Sequence, residues 1–183
     1  MTTLLDARAK FLSRIDSPPQ GESARWIHLE LGPIPMVIPN TASRKDTVRF
    51  HDLHHVLTGY KTDWAGEFEI SAWEVASGCA DKSFAWMMNL PGLVGGLCRW
   101  PRRTFRAFVR GLRSRNLYRE RWGDALLAQS VEATRARLGL HRDGRHATFG
   151  EATRFLLWAT LAWLWVLAPL ALVTLAVVTV AVG

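Results

Sequence analysis

Cysteine and tyrosine are nearly missing from this chain, which has two of each in 183 residues. Cys79 and Cys98 form no Cys-x-x-Cys pair, so a thiolate metal site, a zinc finger and a disulfide framework all lack their residues, and the two read as small core side chains. A Gly-x-Ser-x-Gly elbow and a Gly-Lys-Ser/Thr phosphate loop are absent too, which removes the serine hydrolases and P-loop enzymes. There is no internal repeat. Acids are scarce between 99 and 121, where nine arginines face Glu120 alone, an excess that covers the whole net charge of +7. That density of guanidinium points to a phosphate-bearing surface. No nucleic-acid module is recognisable and an apolar tail lies close by, so an anionic membrane surface is expected in place of nucleic acid. Residues 1–15 hold Asp6 and no long apolar run, so neither a secretory signal nor a transit peptide is expected there.

What is present reads as one helical domain with a tail, since about 150 residues suffice for a single core. Leu4, Phe11, Leu12 and Ile15 share a helical face that Ser17-Pro18-Pro19 stops. Residues 26–39 carry Pro33, Pro35 and Pro39 and read as an extended connector or short edge strands. Residues 1–40 are therefore an N-terminal helix and proline-rich connector ahead of a helical domain over 41–150. Within it, helical spacing over 47–57 closes at Gly59, Asp63 caps a second helix ending at Gly78, and the two form a hairpin. Residues 84–97 contain Pro91-Gly92 and Gly95-Gly96 and are expected to be irregular.

Pro101 opens an amphipathic helix with Phe105, Phe108, Val109 and Leu112 on one face. Arg106, Arg110, Arg113 and Arg115 from this stretch are the candidate contacts for a lipid or phosphate headgroup. One further helix is expected over 124–138, ending at Gly139. Residues 155–182 contain no charge; as a helix of 28 residues they reach about 42 Å, against a hydrocarbon core of about 30 Å. One tilted or Pro169-kinked span is expected, with Trp158, Trp163 and Trp165 as an interfacial belt and the basic domain on the cytoplasmic side. The expected fold class is all-α: a compact helical domain with a metal-binding hairpin and a C-terminal transmembrane helix.

The chemistry concentrates in that hairpin. His51 and His55 lie one turn apart on a helix, Asp52 three before His55, and Glu67 comes from the following helix. Two imidazoles and two carboxylates suit a divalent ion such as zinc, iron or manganese. Gly66 would let the two helix backbones approach. His54, Glu69 and Glu74 are candidates to orient the ligands, His54 alternatively as a spare ligand. The run His51-x-x-His54-His55 also resembles one histidine box of membrane desaturases, but those need about eight histidines and His28, His141 and His146 are scattered. The His51-Asp52 pair alone is weak support for an HD-type phosphohydrolase.

His51-Asp52-Leu53-His54-His55-Val56-Leu57-Thr58-Gly59, Thr62 and Gly66-Glu67 resemble the HDxxH-(x)11-E signature of the Coq4 ubiquinone-biosynthesis family. The resemblance continues through Glu74, Arg110-Gly111-Leu112-Arg113-Ser114-Arg115-Asn116-Leu117-Tyr118, Trp122, Leu126-Leu127 and Arg137-Leu138-Gly139-Leu140, covering about half the chain. It implies a helical, membrane-associated, often homodimeric protein with His51, Asp52, His55 and Glu67 as ligands of a divalent metal, commonly zinc. It also implies a prenylated quinone precursor or other isoprenoid lipid as ligand and other quinone-biosynthesis proteins as partners. The implied activity is oxidative decarboxylation at C1 of a polyprenylated hydroxybenzoate; the alternative is a non-catalytic prenyl-lipid scaffold. Two departures stand out: no mitochondrial targeting extension, which suggests a bacterial inner-membrane protein, and the apolar tail, an addition to a family that usually binds membranes peripherally.

Overall fold

The computed structural model describes residues 1–14, 24–31, 34–141 and 146–182. Thr3 caps α1 (Leu4–Leu12) by accepting from the Asp6 amide; the expected stop at 17–19 lies outside the described residues. An antiparallel hairpin follows, β1 (Trp26–Leu31) and β2 (Ile34–Pro39), with Trp26 opposite Pro39 and Leu31 opposite Ile34. The fold is thus mostly helical and not strictly all-α. Proline at both Pro35 and Pro39 suits a short two-stranded ribbon, where few ladder donors are needed.

Local signals place the central helices. α2 (Ala42–Thr58) ends on Gly59 at φ 77°, and Asp63 caps α3 (Trp64–Ser77) by accepting from the Gly66 amide at 2.8 Å. α3 is the innermost helix: Ile70, Ala72, Trp73 and Val75 are all buried. α4 (Ser83–Arg99) is a continuous helix through Pro91, which corrects the expected irregular segment. Its glycines serve packing: a Cβ on Gly95 would lie 2.7 Å from the Phe68 ring, and one on Gly92 would collide with Ser71. Pro91 itself is exposed, so its lost hydrogen bond falls on the solvent side. α5 (Pro101–Leu112) packs on both α3 and α4, with Gly111 seated on the Trp73 carbonyl and Gly96 of α4 against Thr104.

The single helix expected over 124–138 is two, α6 (Asp124–Leu127) and α7 (Val131–Leu138), because Ser130 starts a new helix by accepting from the Ala133 amide. α8 (Phe149–Val182) completes the chain. Its stretch Phe149–Pro169, with mean hydropathy 1.3, is long and apolar enough to cross a membrane. Its first turns are not free of the body. Phe155 packs edge-on against Phe105 and Phe108, Trp158 stacks on Trp86 at 5.2 Å, and Ala159 and Ala162 are buried. Leu156, Leu157, Leu161, Leu164 and Trp165 face outward. α1 is likewise no separate unit: Leu4 sits in the same core cluster as Phe50, Trp73 and Leu117.

Candidate metal centre

Helical spacing brings His51 and His55 to one face of α2, and the tight 59–63 loop returns α3 so that Glu67 meets them. Gly66 makes this possible by lying against the loop backbone at Lys61, where any Cβ would collide; it does not serve a close approach of α2 to α3. His51 Nε2 and His55 Nε2 stand 3.1 Å apart, and the Glu67 carboxylate reaches the first at 3.5 Å and the second at 3.3 Å. Two atoms bound to one ion at about 2.0–2.1 Å, at tetrahedral to octahedral angles, stand about 2.9–3.4 Å apart. The two imidazole nitrogens fall in that range and the two carboxylate oxygens, one facing each ring, lie at its upper edge, so His51, His55 and Glu67 can hold a metal ion.

The other nitrogens settle the tautomers. His51 Nδ1 donates to Glu74 Oε1 at 2.9 Å, and His55 Nδ1 donates to the Tyr60 carbonyl at 3.0 Å. Both partners only accept, so both protons sit on Nδ1 and, in the neutral rings, both Nε2 atoms present lone pairs. Two lone pairs and a carboxylate converging on one point require a cation, either a metal ion or a proton. Burial opposes charge on His51, but Glu74 and Glu67 outweigh it and hold its pKa well above 6.5. Burial likewise raises Glu67, and the two imidazoles overcome it, leaving its pKa at about 2.

Behind the ligands lies a fully buried hub. Glu74 accepts at Oε1 from His51 and from His54 (2.7 Å), and at Oε2 from Asn89 and from the Tyr118 hydroxyl at 2.7 Å. Burial pushes its pKa up, yet His51 and His54 keep it well below the usual carboxylate range. His54 is not a ligand: its Nε2 accepts from the Leu117 amide at 3.0 Å, and burial lowers its pKa below 6.5 despite Glu74. The Asn116-Leu117-Tyr118 run is therefore the outer wall of the site, with Asn116 tied to the Gly78 carbonyl and Ser77. Asn89 escaped the sequence analysis, and Tyr118 stood there only within the resembling run with no part at the site, because nothing local links either to α3. Glu74 was visible, seven residues beyond Glu67 on the same face.

Asp52, expected as a fourth ligand, does not join the group. One residue past His51 it points about 100° around the helix, where its Oδ2 accepts from Arg8 of α1 at 2.6 and 3.2 Å. α1 also lays Phe11 flat on the His55 ring at 5.4 Å, which covers one side of the site. Glu69 turns away to a bidentate pair with Arg103. Of the candidate headgroup arginines, Arg110 donates to the Thr58 carbonyl and lies over the Tyr60 ring, and Arg113 forks onto Glu151. Arg106 and Arg115 are exposed. Arg135, unforeseen, donates to the Leu57 and Val56 carbonyls, so arginines satisfy the C-terminal end of the ligand helix.

Fold and site together define a mostly helical protein with a candidate divalent-metal centre and an apolar C-terminal helix. No family model, curated protein or solved structure matches the chain.

Proposed function

We propose that the chain is a membrane-anchored, metal-dependent protein of the Coq4 type that converts a polyprenylated hydroxybenzoate by oxidative decarboxylation at C1. The convergence of His51 Nε2, His55 Nε2 and Glu67 on one point, with each imidazole held from behind by an acceptor, is the observation that supports it most. Three protein ligands leave coordination positions open, as catalytic sites do and structural ones do not. In the reaction the C1–carboxylate bond breaks, carbon dioxide leaves, C1 gains a hydroxyl oxygen, and an oxidant such as dioxygen takes the two electrons. Iron or manganese supplies redox chemistry and Lewis acidity, whereas zinc supplies only the latter.

This chain's own residues have definite tasks in that scheme. Glu74 and the Tyr60 carbonyl fix the imidazoles, Phe11 keeps water off the His55 side, and the half-exposed Glu67 marks the open side from which a substrate head enters. On the same reading α8 spans a bacterial inner membrane once, with the arginine-rich body on the cytoplasmic side, as the positive-inside bias favours.

Elemental analysis of the purified full chain, with turnover of a polyprenyl hydroxybenzoate after loading with iron, manganese or zinc, tests the proposal. His51→Ala, His55→Ala and Glu67→Ala should each lose most of the metal and the turnover, while Asp52→Ala keeps metal. Loss of metal with near-normal melting and lost turnover supports the enzyme. Metal loss accompanied by collapse of the fold, with no turnover in any loaded wild-type sample, supports the scaffold. Undiminished metal in both histidine variants rejects the centre.

A further inference from the structure

A groove of about 690 Å³ lies along α5, lined also by Tyr60, by Glu69 of α3 and by His146 and Ala147 ahead of α8. Its walls are mixed. Tyr60, Phe105, Ala107 and Val109 give it an apolar floor, and Arg102 and Arg106, one helical turn apart on α5, stand at its rim. Two carboxylates nearby are already neutralised, Glu69 by Arg103 and Glu151 by Arg113. Arg102 and Arg106 are exposed and make no hydrogen bond or ion pair with a described residue. His146 and Ala147 close the end that leads onto α8, whose next turns present Leu156, Leu157 and Leu161 to the outside.

A site with paired guanidiniums at its mouth and an apolar path leading away along a membrane-competent helix matches an amphiphile with a phosphate head. A free phosphate ion would use the arginines and leave the apolar floor without purpose. We propose that this groove binds the phosphate of an anionic bilayer phospholipid between Arg102 and Arg106, with the glycerol and upper acyl carbons against Phe105 and Tyr60 and the chains along α8. The site is independent of the metal reading, because none of its residues is a metal ligand. It also replaces Arg110, Arg113 and Arg115 as headgroup contacts: the first two are turned to protein partners and the third is not part of the groove. Tyr60 lines the groove and its carbonyl holds His55, so lipid occupancy adjoins the support of the metal site.

Full-length protein reconstituted in vesicles of equal phosphatidylglycerol and phosphatidylcholine, then extracted gently and weighed by native mass spectrometry, gives the test. Wild type should retain phosphatidylglycerol over phosphatidylcholine. Arg102→Gln/Arg106→Gln should lower that preference roughly tenfold to thirtyfold, from two arginines at a lipid surface. Arg119→Gln/Arg121→Gln, which removes two exposed arginines outside the groove, should leave it unchanged. Arg102→Lys/Arg106→Lys should stay within about threefold of wild type, because it keeps the charge near the lipid phosphate. Both sites are exposed and unpartnered, so all variants should melt with the wild type. Unaltered retention in the glutamine pair, equal loss in the Arg119/Arg121 control, or displacement of the lipid by millimolar inorganic phosphate would each overturn the proposal.

Discussion

The two apolar clusters of this protein are built on opposite plans. One wraps a polar hub: Phe50, Leu53, Ile70, Trp73 and Leu117 enclose Glu74, His54 and Tyr118, and every buried polar atom of that hub has a named partner. The other, Val75, Leu90, Leu93, Phe108, Phe155 and Ala162, contains no such network and extends onto α8. The first is held by directed bonds in a low-dielectric setting, where each missing partner leaves a desolvated group behind. The second is held by area alone. Specific chemistry therefore sits where geometry is over-determined, and the side held by area alone is the one that carries the apolar helix.

The sharpest break of this contrast is Glu74→Ala. It strands two imidazole N–H groups, an amide and a phenol in a fully buried position, and the loss of a buried charged partner is expected to cost about 3–5 kcal/mol. Thermal denaturation should show a fall of about 10 °C or more for a chain of this size. Glu74→Gln, which keeps the shape, should fall less.

A pH titration of chelator-treated protein sharpens the same point. The folded value of Glu74 is depressed, so its contribution is present above the unfolded value near 4.5 and is lost as pH falls below it. Wild type should lose stability relative to Glu74→Gln over that acid range, and parallel curves would contradict the assignment.

Truncation probes the apolar side, with an intermediate effect. A chain ending at Gly150 loses Phe155, Trp158 and Ala162 from the second cluster, at a cost of about 3–4 kcal/mol from the apolar area uncovered. One ending at Val166 keeps those contacts. The shorter chain should therefore melt lower and expose apolar surface to a dye, while the longer one melts close to wild type. Equal melting of both would return α8 to the role of a detached anchor.

The smallest expected effect is Phe11→Ala. Phe11 is half-buried and stacks on His55 from outside the hub, so stability should fall by about 1 kcal/mol with metal stoichiometry intact. Metal loss in this variant would make α1 part of the centre instead of its cover.

Much of the chain was legible because the signals act within one helical turn. Gly59, Asp63, Pro101 and Gly139 mark the helix ends they were expected to mark, since steric freedom and capping depend on few neighbours. The pairing of His51 with His55 and the long apolar character of α8 follow equally from spacing and composition. The errors share another cause. Gly92, Gly95 and Gly96 looked like helix breakers because their use lies in the helices packed against α4, and Asp52 looked like a ligand because Arg8 is 44 positions away.

By itself, then, the sequence determined the helix ends at Gly59, Asp63, Pro101 and Gly139, which α2 residues share a face, and that one helix is apolar enough for a bilayer. Tertiary structure alone decided which acceptors meet. It turned Asp52 to Arg8, brought the Leu117 amide to His54 across 63 positions, gave the Leu57 carbonyl to Arg135 across 78, and laid the first turns of α8 on α4 and α5. Those choices depend on chain closure over long separations and on filling one shared volume, and no local residue pattern encodes either.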